Sequence, residues 1–128
     1  MPIPSTFRYT FFRGASKRVS FGFVTTHPDG TETPINLSGK DVSAHFVMKG
    51  QDEPFFELYY SDGTNANGSV ISMTDESSGE FDVFTSSEDS IEFVKGQGTW
   101  YVMVHEGENH ERLWADFMLI ANLDDVVQ

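Results

Sequence analysis

Alternation with period two runs through nearly every segment of this 128-residue chain that rises above loop composition. That period puts successive side chains on opposite faces of a strand. It therefore commits the chain to half-buried β-strands and argues against a helical bundle, whose apolar residues would recur every 3.6 positions. Phe7, Tyr9 and Phe11 share one face of a first strand, which Arg13-Gly14 ends. Val19, Phe21 and Phe23 then alternate with Arg18, Ser20 and Gly22, and His27-Pro28-Asp29-Gly30 marks a turn, because Pro presets φ and Gly supplies positive φ. A third strand puts Val42, Ala44, Phe46 and Met48 inward and Ser43, His45, Val47 and Lys49 outward.

The fourth strand opens at Pro54 and sets Phe56, Leu58 and Tyr60 against Phe55, Glu57 and Tyr59. Aromatic on both faces, it is expected to be central or to lie in an interface. Ser61 to Gly68 reads as a flexible connector, followed by a short strand with Val70 and Ser72 against Ile71 and Met73. A further strand runs from Gly79 through Phe81 and Val83. Ser86 to Val94 is the one stretch suited to a helical turn, with Ser87 as its N-cap and Glu88 and Asp89 near the positive terminus. The last two strands form a hairpin: Trp100, Val102 and Val104 point inward, and Leu113, Ala115, Phe117 and Leu119 return along the same face. His105 and Trp114 fall in the outward phase.

Eight short strands with at most one helical turn predict an all-β fold, an immunoglobulin-like antiparallel β-sandwich. No repeat or linker divides residues 1–128, so one domain is expected. A chain of this length buries roughly two-thirds of its unfolded surface and needs no staples. With no cysteine, disulfides, thiol nucleophiles and Cys-ligated zinc are excluded. No leader-like or membrane-spanning apolar run is present, so the sequence reads as a soluble intracellular product with no membrane partner.

The net charge of −12 argues against broad contact with nucleic acid. It is unevenly spread. Residues 1–49 carry six bases and three acids, +3, and residues 50–128 carry two bases and seventeen acids, −15. Arg8, Arg13, Lys17 and Arg18 make the first hairpin a basic element on an acidic body. Either this is a solvated surface, or the basic hairpin of one copy docks on an acidic face of the next copy or of a partner.

No catalytic constellation emerges. His105-Glu106 with His110 resembles a zincin only in composition, since that motif needs His residues at i and i+4 on a helix and these are five apart on a strand and turn. Counted as a calcium loop from Asp62, positions 3, 5 and 12 fall on Thr64, Ala66 and Met73, and the last two cannot ligate through side chains. Carboxylate pairs such as Glu80 and Asp82 are what 20 acids in 128 residues produce by chance. No nucleophile elbow or phosphate-cradling loop occurs. No metal, cofactor or enzymatic activity is therefore expected. Outward aromatics leave three readings open: Phe55, Tyr59, Tyr101 and Trp114 are covered by another protein, or Tyr59, Tyr101 and Trp114 stack on sugar rings, or they are partly buried in the ordinary way.

The order of signals resembles a family of small Ig-like domains in tailed-bacteriophage virions, including the N-terminal domain of the baseplate upper protein and related tail, fibre-adaptor and baseplate modules. The resemblance is carried by the aromatic strand ending in Arg13-Gly14, the strand RVSFGFV, the turn Pro28-Asp29-Gly30, and Pro34-Ile35-Asn36-Leu37-Ser38-Gly39. Gly79-Glu80-Phe81-Asp82-Val83, the Ser/Thr-rich turn before Ile91 and Gly98-Thr99-Trp100-Tyr101-Val102 continue it. Ala15 and Ala115-Asp116 depart from the family's usual acidic residue and small Gly. The resemblance implies a non-enzymatic structural protein of the virion, made in the host cytoplasm. It would connect tail, baseplate or fibre proteins as a symmetric homo-oligomer or in multiple copies. A capsid decoration or neck protein is the alternative within that class, and a carbohydrate-binding module on host glycans the alternative outside it.

Overall fold

The computed structural model describes residues 9–122. Its strands are β1 (Tyr9–Arg13), β2 (Lys17–Gly22), β3 (Val24–Thr26), β4 (Glu32–Pro34), β5 (Asp41–Met48), β6 (Phe56–Tyr59), β7 (Val70–Asp75), β8 (Glu80–Thr85), β9 (Gly96–Glu106) and β10 (Asn109–Asn122). One helical turn, α1 (Ser87–Ser90), and two 3-10 turns complete the elements among the described residues. A five-stranded sheet runs β1-β10-β9-β5-β6, a three-stranded sheet runs β2-β8-β7, and β3 pairs with β4 in a small sheet of its own. The fold is thus the all-β sandwich that the alternation predicts. The strands beyond the expected eight are β3 and β4, three exposed residues each around the Pro28-Asp29-Gly30 turn, too short and too polar to show a period. Phe7, expected in the first strand, lies outside the described residues.

The first two strands do not form a hairpin. β1 pairs with β10, in parallel, and β2 pairs with β8 in the other sheet. Phe11 and Phe21 both have to reach the shared core, and crossing from one layer to the other at Arg13-Gly14 lets each do so from its own side. Gly14 takes φ +83 there, and Ala15 N–H closes the turn on Phe12 O at 3.1 Å.

The core lies between the two sheets around Trp100, which is fully buried. Phe46 stacks on it with centroids 5.2 Å apart and planes at 12°, and Tyr9, Phe11, Phe21 and Trp114 meet it edge-on. Such pairs add roughly 0.5–1.5 kcal/mol each beyond the area they bury. The Trp100 Nε1–H finds no hydrogen-bond acceptor among the described residues and is surrounded by rings.

Further expected placements are corrected here. First, β10 carries its core residues in the opposite phase: Met118 and Ile120 are buried, Phe117 is 66% exposed and Trp114 packs inward against Tyr9, Phe21 and Trp100. Both phases of this strand are apolar, so periodicity could not choose. A bulge between Arg112 and Trp114 puts Leu113 out of register and sets the phase for the rest. Second, β6 is an edge strand, and the strand buried on both faces is β5. Phe55 lies before β6 and packs on Phe46 and Phe93, which is why the segment looked two-faced. Third, the loop at 61–68 is pinned rather than flexible. Asp89 in α1 accepts from Asn65 Nδ2 at 2.8 Å, from Asn67 Nδ2 at 2.9 Å and from Ser69 Oγ, while Asn65 Oδ1 accepts from the Asn67 and Ser69 amides. The N-cap of α1 is Ser86, whose side chain accepts from Asp89 N–H, one residue earlier than expected.

Close backbone approach explains Gly98. An added Cβ would sit 2.3 Å from Val47 O and 2.9 Å from Met118 Cε, so β9 can pair with β5 at this point only without a side chain.

Candidate functional site

The outer face of the five-stranded sheet carries the densest set of chemically active side chains. On β5, Ser43 and His45 point outward as the alternation requires, yet both are buried rather than solvated. The reason is lateral cover. Tyr101 of β9 stacks on the His45 ring at 4.9 Å and 15°, and Tyr59 of β6 meets it edge-on at 5.7 Å. His105, expected to face solvent, is half-buried against Ser43.

These residues form one polar row across neighbouring strands. His45 Nδ1 lies 2.8 Å from Glu57 Oε2, an ion-pair separation without a well-aligned hydrogen bond. His45 Nε2 is 2.7 Å from Ser43 Oγ, Ser43 Oγ is 2.6 Å from His105 Nε2, and His105 Nδ1 is 2.5 Å from His110 Nδ1. A carboxylate offers only lone pairs, so the neutral His45 carries its proton on Nδ1 and accepts from Ser43 at Nε2. Ser43, having donated its only proton, accepts from His105 Nε2–H. His105 Nδ1 is then bare and accepts from His110 Nδ1–H. The three tautomers are thus assigned from the network, starting at the carboxylate beside His45 Nδ1.

Electrostatics agree with neutral His45 and His105 rings. Burial lowers the His45 pKa; Glu57 opposes this, and His105 and Arg112 add to the lowering. Burial and then His110 lower that of His105, against the pull of Asp41. Burial, followed by Glu57, raises the Tyr59 phenol.

Glu57, His45 and Ser43 are linked in the order of an acyl-transfer triad. Ser43 is 0% exposed and its oxygen is already engaged by a second imidazole, so no carbonyl can reach it. Among the described residues no three His, Cys, Asp or Glu side chains gather about one point.

The interface candidates scatter. Arg8 lies outside the described residues. Arg13 is committed internally, donating to Phe93 O at 2.7 Å, Ile91 O at 3.0 Å and Asn122 Oδ1 at 3.0 Å. Lys17 lies 5.7 Å from the Phe11 ring, and Arg18 pairs with Asp82 at 3.3 Å while lying over Phe84. Phe55 is 39% exposed. Tyr101 is held between His45 and the Arg112 guanidinium, 4.2 Å from its ring centre. With Trp114 turned inward against Tyr9, Phe21 and Trp100, the sugar platform of Tyr59, Tyr101 and Trp114 does not assemble.

Sequence reasoning missed a different surface. Phe117, Thr99 and Val47 are neighbours across β10, β9 and β5, and with Lys49, Gln51 and Gln97 they line a cleft of about 390 Å³. The signal was the second apolar phase of β10. Sequence reasoning also discarded the His105–His110 pair on helical spacing. A two-residue turn at Gly107-Glu108 pairs Glu106 with Asn109 and hence His105 with His110, which is legible from HEGENH alone.

A scan against protein-family models finds no match to this chain, and a search of the curated proteins finds none either.

Proposed function

We propose that this chain is a non-enzymatic structural protein of a tailed-phage virion, a baseplate or tail component that joins tail and fibre proteins through protein–protein contacts in multiple copies. The virion placement rests on the resemblance of the sequence signals. The contact role rests on one observation: Phe117, a large aromatic 66% exposed, beside the apolar-lined cleft on the outer face of the larger sheet. An exposed aromatic beside a concave apolar surface is the kind of feature that protein interfaces cover. A capsid decoration or neck protein would use the same face. We place the contact on this sheet face because β1 and β2 form no hairpin and Arg13 is spent on two backbone carbonyls and Asn122.

The test is incorporation. Purified particles should contain the chain by mass spectrometry, and Phe117→Asp should fold normally in isolation yet be depleted from particles at least tenfold. Absence of the chain from particles refutes the virion role, and normal incorporation of Phe117→Asp refutes the assigned surface.

A further inference from the structure

We propose that His105 and His110 chelate one divalent transition-metal ion of the Cu²⁺, Ni²⁺ and Zn²⁺ class through their Nδ1 atoms, with solvent filling the remaining positions. The two residues are direct cross-strand partners at the end of the β9–β10 hairpin, and their Nδ1 atoms face each other at 2.5 Å. The two imidazole nitrogens stand side by side across the hairpin and supply the borderline ligands that this class of ion prefers and that Mg²⁺ and Ca²⁺ do not.

What makes the pair more than a surface contact is the row behind it. A ligating imidazole is normally held by a hydrogen bond from its other nitrogen, which fixes the tautomer and aims the lone pair. His105 has that support: its Nε2–H donates to Ser43 Oγ at 2.6 Å, and Ser43 is itself fixed by His45, which Glu57 holds. The bare Nδ1 is therefore the nitrogen presented to His110. His110 is exposed, so its proton can move to Nε2, and its ring can turn outward. With metal–nitrogen bonds of about 2.0–2.1 Å, the two nitrogens need to stand about 3 Å apart, an opening of roughly half an ångström at the exposed end of the hairpin. The surroundings favour a cation: Asp41 acts on His105, Glu106 and Glu111 line the adjoining hollow with His110, and Lys40 there is paired with Glu106 at 3.3 Å.

Calorimetric titration of the full chain with CuCl₂, NiCl₂, ZnCl₂ and MgCl₂, with histidine NMR spectra recorded in parallel, tests this. The expected result is one ion per chain, tightest for Cu²⁺ and undetectable for Mg²⁺, with the His105 and His110 ring signals shifted or broadened first. His110→Ala, at an exposed position, should weaken binding at least tenfold with the fold intact, and Ser43→Ala should weaken it about 10-fold or more. His27→Ala, on the β3–β4 hairpin, should change nothing. Binding unaltered in His110→Ala, binding lost in His27→Ala, or no binding of Cu²⁺ at millimolar concentration overturns the proposal.

Discussion

Replacing Asp89 by Asn isolates the polar cluster that ties the 61–68 loop to α1. The substitution preserves shape and changes only charge and one acceptor. Asp89 Oδ2 accepts from Asn65 Nδ2 and Ser69 Oγ, and Oδ1 accepts from Asn67 Nδ2. In Asp89→Asn, an amide oxygen at the first position keeps two bonds, but the new NH₂ is set against the Asn67 NH₂. One charge-assisted bond is lost and the others lose their charge assistance, about 2 kcal/mol after the exposed Asn67 turns to solvent. Burial raises the Asp89 pKa, but the bonds from Ser69, Asn65, Asn67 and Ser86 outweigh it and leave the group below its ordinary value. A depressed folded pKa means that the unfolded chain takes up the proton first as pH falls. The stabilisation is complete above the unfolded value of about 3.9 and disappears as pH drops through the lower folded value. Urea denaturation followed by tryptophan fluorescence reads this directly, since Trp100 is buried and Trp114 packs on it. At pH 7 the midpoint should fall by about 1 M for a slope near 2 kcal/mol/M, and the gap between the two proteins should close toward pH 2. A difference below about 0.5 kcal/mol at pH 7, or one that persists unchanged to pH 2, would refute the account.

Two further substitutions test the packing. Trp114→Ala should cost about 3 kcal/mol, read as a loss of roughly 10 °C in thermal melting, because the ring lies among Tyr9, Phe21 and Trp100; a change within about 0.5 kcal/mol would return the ring to the surface. Gly98→Ala should cost at least about 3 kcal/mol by the same melt, since its Cβ would collide with Val47 O at 2.3 Å, while Gly22→Ala, whose Cβ meets only Glu80 Cγ at 3.6 Å, should change stability by less than about 1 kcal/mol.

The alternation in Phe81–Val83 and Trp100–Val104 was sufficient to place these strands and their inward faces, because a strand's period is a property of the local backbone. It failed at Leu113–Ile120, where Trp114, Met118 and Ile120 compete with Leu113, Phe117 and Leu119, and a bulge paired across to β9 decided. It failed again at Ser43 and His45, correctly placed outward but buried by rings from β6 and β9. The histidine pair lay within reach of turn arithmetic; the row behind it did not, since Glu57, His45, Ser43 and His105 meet only through the order β6-β5-β9.

Short strands around an aromatic core follow from local signals, because period and turn chemistry act within a few residues. Which sheet each strand joins, which of two apolar faces turns inward, and which polar side chains become neighbours are set by long-range packing. Those choices depend on pairings between residues far apart in the chain, such as His45 with Tyr101 and Phe11 with Ile120, and no local pattern encodes a partner.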